Sequence, residues 1–583
     1  MAQEQISAMK RRTISMKAGK NIWQICIIGQ KYRDKWMLNV NIDNEDEFRD
    51  IAASVKPLVL EFEGAYKRAA AEKGEEAELC GSIRIALKKD MTSKDDILGI
   101  IYLVIDESEK RLTIERKRIF LDERIVSLEN TLEKKMRKAD IGGLPKNFTD
   151  EEEIEKRIFR NAVTRAVYTA LSEKTGQKLP WGTLTGIRPT KQILWCLAAG
   201  NAERTVKEYY RKNYLLSEEK LELALTVAKN ENNLLTVKGD QSYFNNGFSL
   251  YIDIPFCPST CYYCSFTSYP VAASGQFIEP YLNALFREID EVSDYIYGRS
   301  NASTNVENDM NISIMKGKRL DSVYIGGGTP TTLSAEQLDR LITKIEQKFD
   351  LSEILEFTVE AGRPDTITRD KLEALKKHGV DRISINPQSM NQETLDIIGR
   401  RHTVEDIIKT YKTARELGFD NINMDIIIGL ANETPKEVAH TVEEIKKLAP
   451  DDFTVHSLAI KRAAKLNTAK KFYADLQATE IEEAERISYE AAKEMGLEPY
   501  YMYRQKNMAG NNENVGYAKP GKYGVYNVLI MEERQSILAL GCGASTKLVY
   551  PENGRIERIE NVKSLMDYIG RTDEMVARKL GYR

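Results

Sequence analysis

The chain has 583 residues, 42% hydrophobic and 30% charged, which is enough apolar material for several packed domains. Its 28 Tyr and 16 Phe are too many for a chain that is mainly disordered. The 85 Lys and Arg nearly cancel the 88 Asp and Glu, leaving a net charge of −3. That balance argues against a global polycation built for nucleic acid, although a local basic groove stays open. No apolar run approaches the roughly 18 residues of a membrane span, so no membrane span is expected. Lys10-Arg11-Arg12 precedes a short apolar stretch, Ile22–Ile28, but Gln24 interrupts it and no small-residue cleavage site follows, so it reads as a strand. Seven cysteines, an odd number, point to the reducing cytoplasm.

In chain order, residues 1–175 alternate strand patterns (Trp36–Ile42, Gly99–Ile105) with helical ones (Asn44–Glu63, Asp150–Ser172) and read as an N-terminal α/β module. Residues 176–247 read as a helical connector, with helices over Glu203–Tyr209 and Ser217–Asn230. It opens on Leu179–Lys191, where Pro and Gly forbid a continuous helix. This segment is either an ordered connector or a loop presenting Arg188 and Lys191 to an anion.

From 248 to 460 the pattern becomes regular. β-rich segments at Phe248–Ile254, Ser322–Ile325, Leu355–Val359, Arg382–Ile385, Ile422–Ile428 and Phe453–Ile460 alternate with helices at Pro280–Tyr297, Ala335–Phe349, Arg369–His378, Val404–Leu417 and Pro435–Leu448. Such alternation predicts parallel βα units. The span is short of the roughly 250 residues of an eight-unit barrel, so an incomplete (β/α)6 barrel is expected. Gly298–Lys318 is a polar insertion that reads as a surface loop. Residues 461–583, with a Gly/Asn/Tyr-rich stretch, read as a C-terminal α+β cap domain.

Cys26, Cys80, Cys196 and Cys542 are scattered, but Cys257, Cys261 and Cys264 fall in one loop directly after the first barrel strand. Three thiolates so spaced can hold three irons of a [4Fe–4S] cube and leave the fourth open to a substrate. Structural zinc would need a fourth Cys or His, and the nearest histidine in sequence is His378. Gly326-Gly327-Gly328-Thr329-Pro330 follows the second strand, where glycines admit close backbone approach to a ligand. Glu360, Gln388 and Asp425 sit in or just beyond apolar strands, where an unpaired polar group would cost stability.

Tyr251-Ile-Asp-Ile-Pro-Phe-Cys257-x3-Cys261-Tyr-Tyr-Cys264-Ser-Phe resembles the signature of radical S-adenosylmethionine (SAM) enzymes, on the branch containing oxygen-independent coproporphyrinogen III oxidase. The layout, with its long N-terminal extension, is similar to the coproporphyrinogen dehydrogenase form. The resemblance implies two cofactors, a [4Fe–4S] cluster on Cys257, Cys261 and Cys264, and SAM. It implies that Gly327, Gly328 and Thr329 bind the SAM amino group through backbone atoms. It further implies that Glu360 and Asp425 contact the amino or ribose groups, Gln388 the sugar region and Arg400 the carboxylate, with Arg401 as the alternative. Tyr251 and Tyr263 would lie near the cluster and the SAM sulfur. The implied reaction is radical oxidative decarboxylation of two propionates of coproporphyrinogen III to vinyls, in porphyrin and haem biosynthesis. The implied partners are a tetrapyrrole substrate and an electron donor such as flavodoxin or ferredoxin.

Two departures stand out. Phe266 occupies a position where some oxidases of this branch carry a further Cys. The related haem chaperones resemble Pro-Gly followed by His-Asn, whereas here Pro520-Gly521 is followed by Tyr526-Asn527, which counts against a chaperone. A haem-binding chaperone of this fold, or another radical SAM enzyme acting on haem, remains the alternative. For the propionates, Arg504 in a tail rich in tyrosines (Tyr500, Tyr501, Tyr503, Tyr517, Tyr523), together with Arg363 and Arg462, is the expected cation set. The same aromatics would equally serve as packing.

Overall fold

The computed structural model describes residues 23–24, 49–71, 80–87, 97–107, 110–111, 115–139, 144, 146–236, 238–239, 242–299, 312–458, 478–504, 513–550 and 554–581. By contacts the chain divides into two compact units, 1–126 with 156–179, and 127–155 with 180–583.

The first unit combines an antiparallel sheet with helices. Strand Ile97–Glu107 pairs with Cys80–Leu87 on one side and Glu115–Phe120 on the other. The helix Arg49–Ala71 buries Val55, Leu58, Val59 and Phe62, and Phe62 meets Tyr168 edge-on at 5.1 Å. Gly99–Ile105 thus falls inside an observed strand, while Trp36–Ile42 lies outside the described residues.

The second unit is built on one 11-stranded sheet. Its strands, in chain order, are β1 (Gly247–Ile254), β2 (Arg319–Gly327), β3 (Glu356–Gly362), β4 (Arg382–Ile385), β5 (Ile422–Ile428), β6 (Asp452–Ser457), β7 (Glu498–Arg504), β8 (Glu513–Ala518), β9 (Ser536–Leu540), β10 (Ser545–Tyr550) and β11 (Arg555–Glu560). β1 to β6 lie side by side in sequence order and pair in parallel throughout. That order is the signature of six βα units wound in one direction, as the pattern predicts. The strands are almost wholly buried because helices cover the outer face of the sheet. The helices begin where their caps place them: Ser334, Thr403 and Thr434 each close a capping box, the last with Pro435 in the first turn.

Among the described residues the sheet does not close on itself; β7 and β11 are its edges. Residues 461–583, expected as a cap, extend the sheet at both ends. β9 pairs in parallel with β1, and β10 and β11 continue antiparallel from it. β8 and β7 continue antiparallel from β6. The core therefore runs unbroken from the parallel strands into the C-terminal residues. Most of the polar insertion, residues 300–311, lies outside the described residues.

The Leu179–Lys191 segment proves to be a strap within this unit from residue 180 onward. Trp181 donates to Glu513 at 2.9 Å, and the Arg504 guanidinium donates to the Leu184 carbonyl at 2.7 Å. Gly182 has φ +54, and a Cβ there would fall on the Tyr214 carbonyl. Arg188 and Lys191 both bind the Glu533 carboxylate, at 2.7 and 3.0 Å. The anion they meet in this structure is thus the chain's own.

Candidate active site

The loop after β1 carries Cys257 and Cys261, both buried, and Cys264, which is partly exposed. The glycine turn after β2 is fitted against it. Gly328 donates to the Ile254 carbonyl at 2.8 Å and Thr329 to the Phe256 carbonyl at 2.7 Å. A Cβ on Gly328 would stand 2.5 Å from the Phe256 oxygen and 3.1 Å from the Cys257 sulfur. Gly327 has φ +110, a conformation that side chains rarely adopt. Thr329 Oγ1 lies 3.5 Å from Cys257 Sγ. Burial pushes the Cys257 thiol up to about 11, so an unliganded Cys257 stays protonated; iron is what would make it a thiolate.

Arg363 braces the same loop. Its guanidinium donates to the Ser259 carbonyl and hydroxyl, both at 2.9 Å, and reaches Cys261 Sγ at 3.7 Å. A two-pronged pair with Asp365, at 3.0 and 2.7 Å, holds its other side. With 3% of its surface exposed, it is not free to meet a propionate, and the expectation of a substrate contact is corrected to a loop-bracing one.

The remaining SAM-site expectations come together at the C-terminal ends of the parallel strands. Glu360 accepts from the Tyr324 hydroxyl. Burial and the nearby Asp425 push its carboxyl up to about 7, against the pull of that hydrogen bond. Asp425 is in equally crowded surroundings that would raise it, yet it is held below its ordinary value by His456 at 3.8 Å and the Asn423 amide at 2.8 Å. Gln388 takes φ +67, a strained choice for a non-glycine. Its backbone is tied to β5 on both sides, donating to the Asp425 carbonyl at 2.9 Å and accepting from Ile427 at 3.0 Å. Arg400 is buried, donating to the Asn386 carbonyl and, at 3.2 Å, to the Tyr263 hydroxyl. Arg401 is exposed.

Arg504, expected at the substrate, is likewise corrected: it ties the Trp181–Lys191 strap to β7. Tyr500, Tyr501 and Tyr517 are buried, and the Tyr500 hydroxyl donates to Asp452 at 2.8 Å, so these tail tyrosines pack the sheet. Arg462 lies outside the described residues. Phe266 is 72% exposed.

Three residues of the site, Asp253, His456 and Tyr324, escaped the sequence reading. Asp253 accepts from the Tyr251 hydroxyl at 3.3 Å; burial, with Glu360 adding to it, pushes its carboxyl up to about 8. A lone acid inside the apolar run of β1 was the available signal. His456 sits beside Asp425, in the last parallel strand. Tyr324 had no signal; Tyr526, singled out only as a departure from the chaperones' His-Asn, had none for its place here, because only the folded chain brings the two together. Tyr526, in the helix Val525–Glu532, stacks on Tyr324 at 4.5 Å and 25°, with Tyr251 6.3 Å away and nearly parallel.

Among the described residues no three His, Cys, Asp or Glu side chains could hold a single metal ion. A cube differs, since each thiolate holds its own iron corner. The donor set and surroundings fit a cluster and a polar ligand beside it. The glycine turn leaves no room for a Cβ against Cys257. Buried polar atoms without partners, Asp253 Oδ1, Asn386 Oδ1, Gln388 Oε1 and Arg400 Nε, gather at the same strand ends.

Residues 251–445 match the family model described as Radical SAM superfamily. The chain is 38% identical over 433 residues to the oxygen-independent coproporphyrinogen-III oxidase-like protein HemZ of Bacillus subtilis, covering 74% of this chain and 82% of that one. It is 35% identical over 215 residues to the haem chaperone HemW of the same organism, covering 36% of this chain and 51% of that one. Among solved structures, coproporphyrinogen III oxidase (HemN) from Escherichia coli aligns with a TM-score of 0.44 at 23% identity, over 58% of this chain and 72% of that one.

Proposed function

The chain belongs to the radical SAM superfamily, whose members use a [4Fe–4S] cluster and SAM, and on that premise we propose that it is an oxygen-independent coproporphyrinogen III dehydrogenase. In this reading two propionates of coproporphyrinogen III each lose a β-hydrogen, CO2 and an electron to become vinyls, giving protoporphyrinogen IX. The observation that carries the reading is the reach of the similarity. Likeness to the oxidase-like relative spans 74% of this chain, far more than residues 251–445. At position 526, where the chaperones resemble a histidine, this chain has a tyrosine whose ring is buried in a stack.

Cys257, Cys261 and Cys264 would hold the cluster, and Gly327, Gly328, Thr329, Glu360, Gln388, Arg400 and Asp425 would hold SAM. When bound, these groups supply a 5′-deoxyadenosyl radical that abstracts hydrogen from carbon. The protein's own contribution is placement. Arg363 and Thr329 fix the cysteine loop; Glu360, Asp253 and Asp425 offer carboxyl acceptors to a cationic ligand; the Tyr251–Tyr324–Tyr526 rings wall the pocket against water. The propionate cation that stays in this reading is Arg462, in a stretch that also carries Lys461, Lys465, Lys470 and Lys471 directly after β6. An electron donor of the flavodoxin or ferredoxin kind completes it.

The test is an anaerobic assay of the reconstituted protein with a one-electron reductant, with and without coproporphyrinogen III, followed by mass spectrometry. Substrate-dependent 5′-deoxyadenosine and a vinyl product are expected. Stoichiometric haem binding without 5′-deoxyadenosine or vinyl product would overturn the reading in favour of a chaperone.

A further inference from the structure

Tyr526 belongs to the C-terminal region, yet its ring reaches the interior of the parallel sheet. The first turn of its helix is clamped there by a carboxylate from β3: Val525 and Tyr526 donate their N–H groups to Glu356 at 2.6 and 3.3 Å. The next residue, Asn527, donates to the Tyr500 hydroxyl at 3.2 Å. The ring is thus fixed from both sides of its own backbone and lies flat on Tyr324. Only 6% of the residue is exposed, and its hydroxyl, bonded by none of the described residues, is not among the fully buried polar atoms left without a partner, so it keeps an open side. The nearest chemistry is the Tyr324–Glu360 pair, on the same stack of rings, beside the unpartnered oxygen of Asp253.

We propose that Tyr526 is a ligand-contacting residue whose hydroxyl hydrogen-bonds the neutral, adenosyl half of the bound cofactor. The assignment to that half follows from how the pocket divides its chemistry. Three carboxyls, on Asp253, Glu360 and Asp425, suit the cationic groups of SAM, whereas a neutral phenol stacked with two near-parallel rings suits a flat heterocycle and its sugar. The inference rests on the SAM reading of the site.

The experiment measures binding by calorimetry to the anaerobically reconstituted protein, wild type and Tyr526→Phe, with SAM, 5′-deoxyadenosine and L-methionine as separate titrants. Phenylalanine keeps the ring stack and removes only the hydroxyl, and matching circular dichroism and iron content confirm that fold and cluster are intact. The expected result is a loss of about threefold to tenfold in affinity for SAM and 5′-deoxyadenosine, the worth of one neutral hydrogen bond, with methionine unchanged. Equal affinities in both proteins would reduce Tyr526 to packing and overturn the inference. A loss confined to methionine would overturn it as well, by placing the hydroxyl at the charged half. Wild-type protein that carries its cluster but binds no SAM would refute the SAM reading, a failure distinct from the other two.

Discussion

Removing the guanidinium of Arg363 separates the two roles that this residue could have. In Arg363→Ala, Ser259 loses both its partners from this side chain, Cys261 loses the guanidinium at 3.7 Å, and Asp365 is left with His402 at 3.7 Å. The pair with Asp365 is deeply placed, with 4% and 20% of the side chains exposed. Breaking a fully buried pair from one side costs about 3–5 kcal/mol. Because Asp365 keeps some access to water and one neighbour, a cost of about 2–3 kcal/mol is expected here. The cysteine loop should feel it first. Urea unfolding of the apo protein should show the lowered midpoint, and reconstitution should give less iron, with faster bleaching of the cluster absorbance in air. Arg363→Lys should rescue charge but not the two-pronged geometry, and so recover only part of the iron content. If Arg363→Ala binds full iron at wild-type stability while its affinity for coproporphyrinogen falls, the bracing argument is wrong and the residue faces substrate.

The carboxyls of Glu360 and Asp253, raised to about 7 and about 8, lose charge as pH falls from 9 to 6, so SAM binding should weaken over that range by about tenfold or more. A flat calorimetric profile would contradict it, and Glu360→Gln should flatten the lower part. Linkage runs the other way for the empty protein: both groups hold protons more tightly folded than unfolded, so their contribution to stability declines as pH rises towards 8. Gly328→Ala should displace Cys257 and lower iron content without disturbing the far edge of the sheet, read by iron assay and circular dichroism. Arg504→Ala should cost about 1–2 kcal/mol and shift Trp181 fluorescence while leaving SAM affinity unchanged; a lost affinity for coproporphyrinogen with intact stability would restore it to the substrate.

What was legible in the sequence was whatever is local. Strand and helix positions from Gly247 to Leu448 follow from apolar period and caps, and the cysteine loop announces itself by spacing. Edge pairing was not legible: nothing in Ser536–Leu540 says that it lies beside Gly247–Ile254, because any apolar strand fits any apolar edge. Cations were the harder case. Arg363 and Arg504 look like ligand contacts in one dimension, since the carboxylate and carbonyl that claim them become visible only on folding. Tyr526 shows the reverse: it reads only as a departure from the chaperones' His-Asn, and the fold carries it inward onto Tyr324.

The parallel pairing of β9 with β1 has a consequence for biogenesis. β1 holds Tyr251 and Asp253 and leads into the cysteine loop, yet one of its two flanking strands, β9, is made only after β2 to β8. While the ribosome is still translating the intervening helices, this edge of the nascent sheet stays bare, with its backbone donors open to mispairing. Iron loaded at that stage would meet a half-walled site. The order of assembly is therefore written into the strand order: Ser536–Leu540 must be made before the metal can be safely installed. A chain truncated after residue 535 should accumulate with chaperones or aggregate, however complete its cysteine loop.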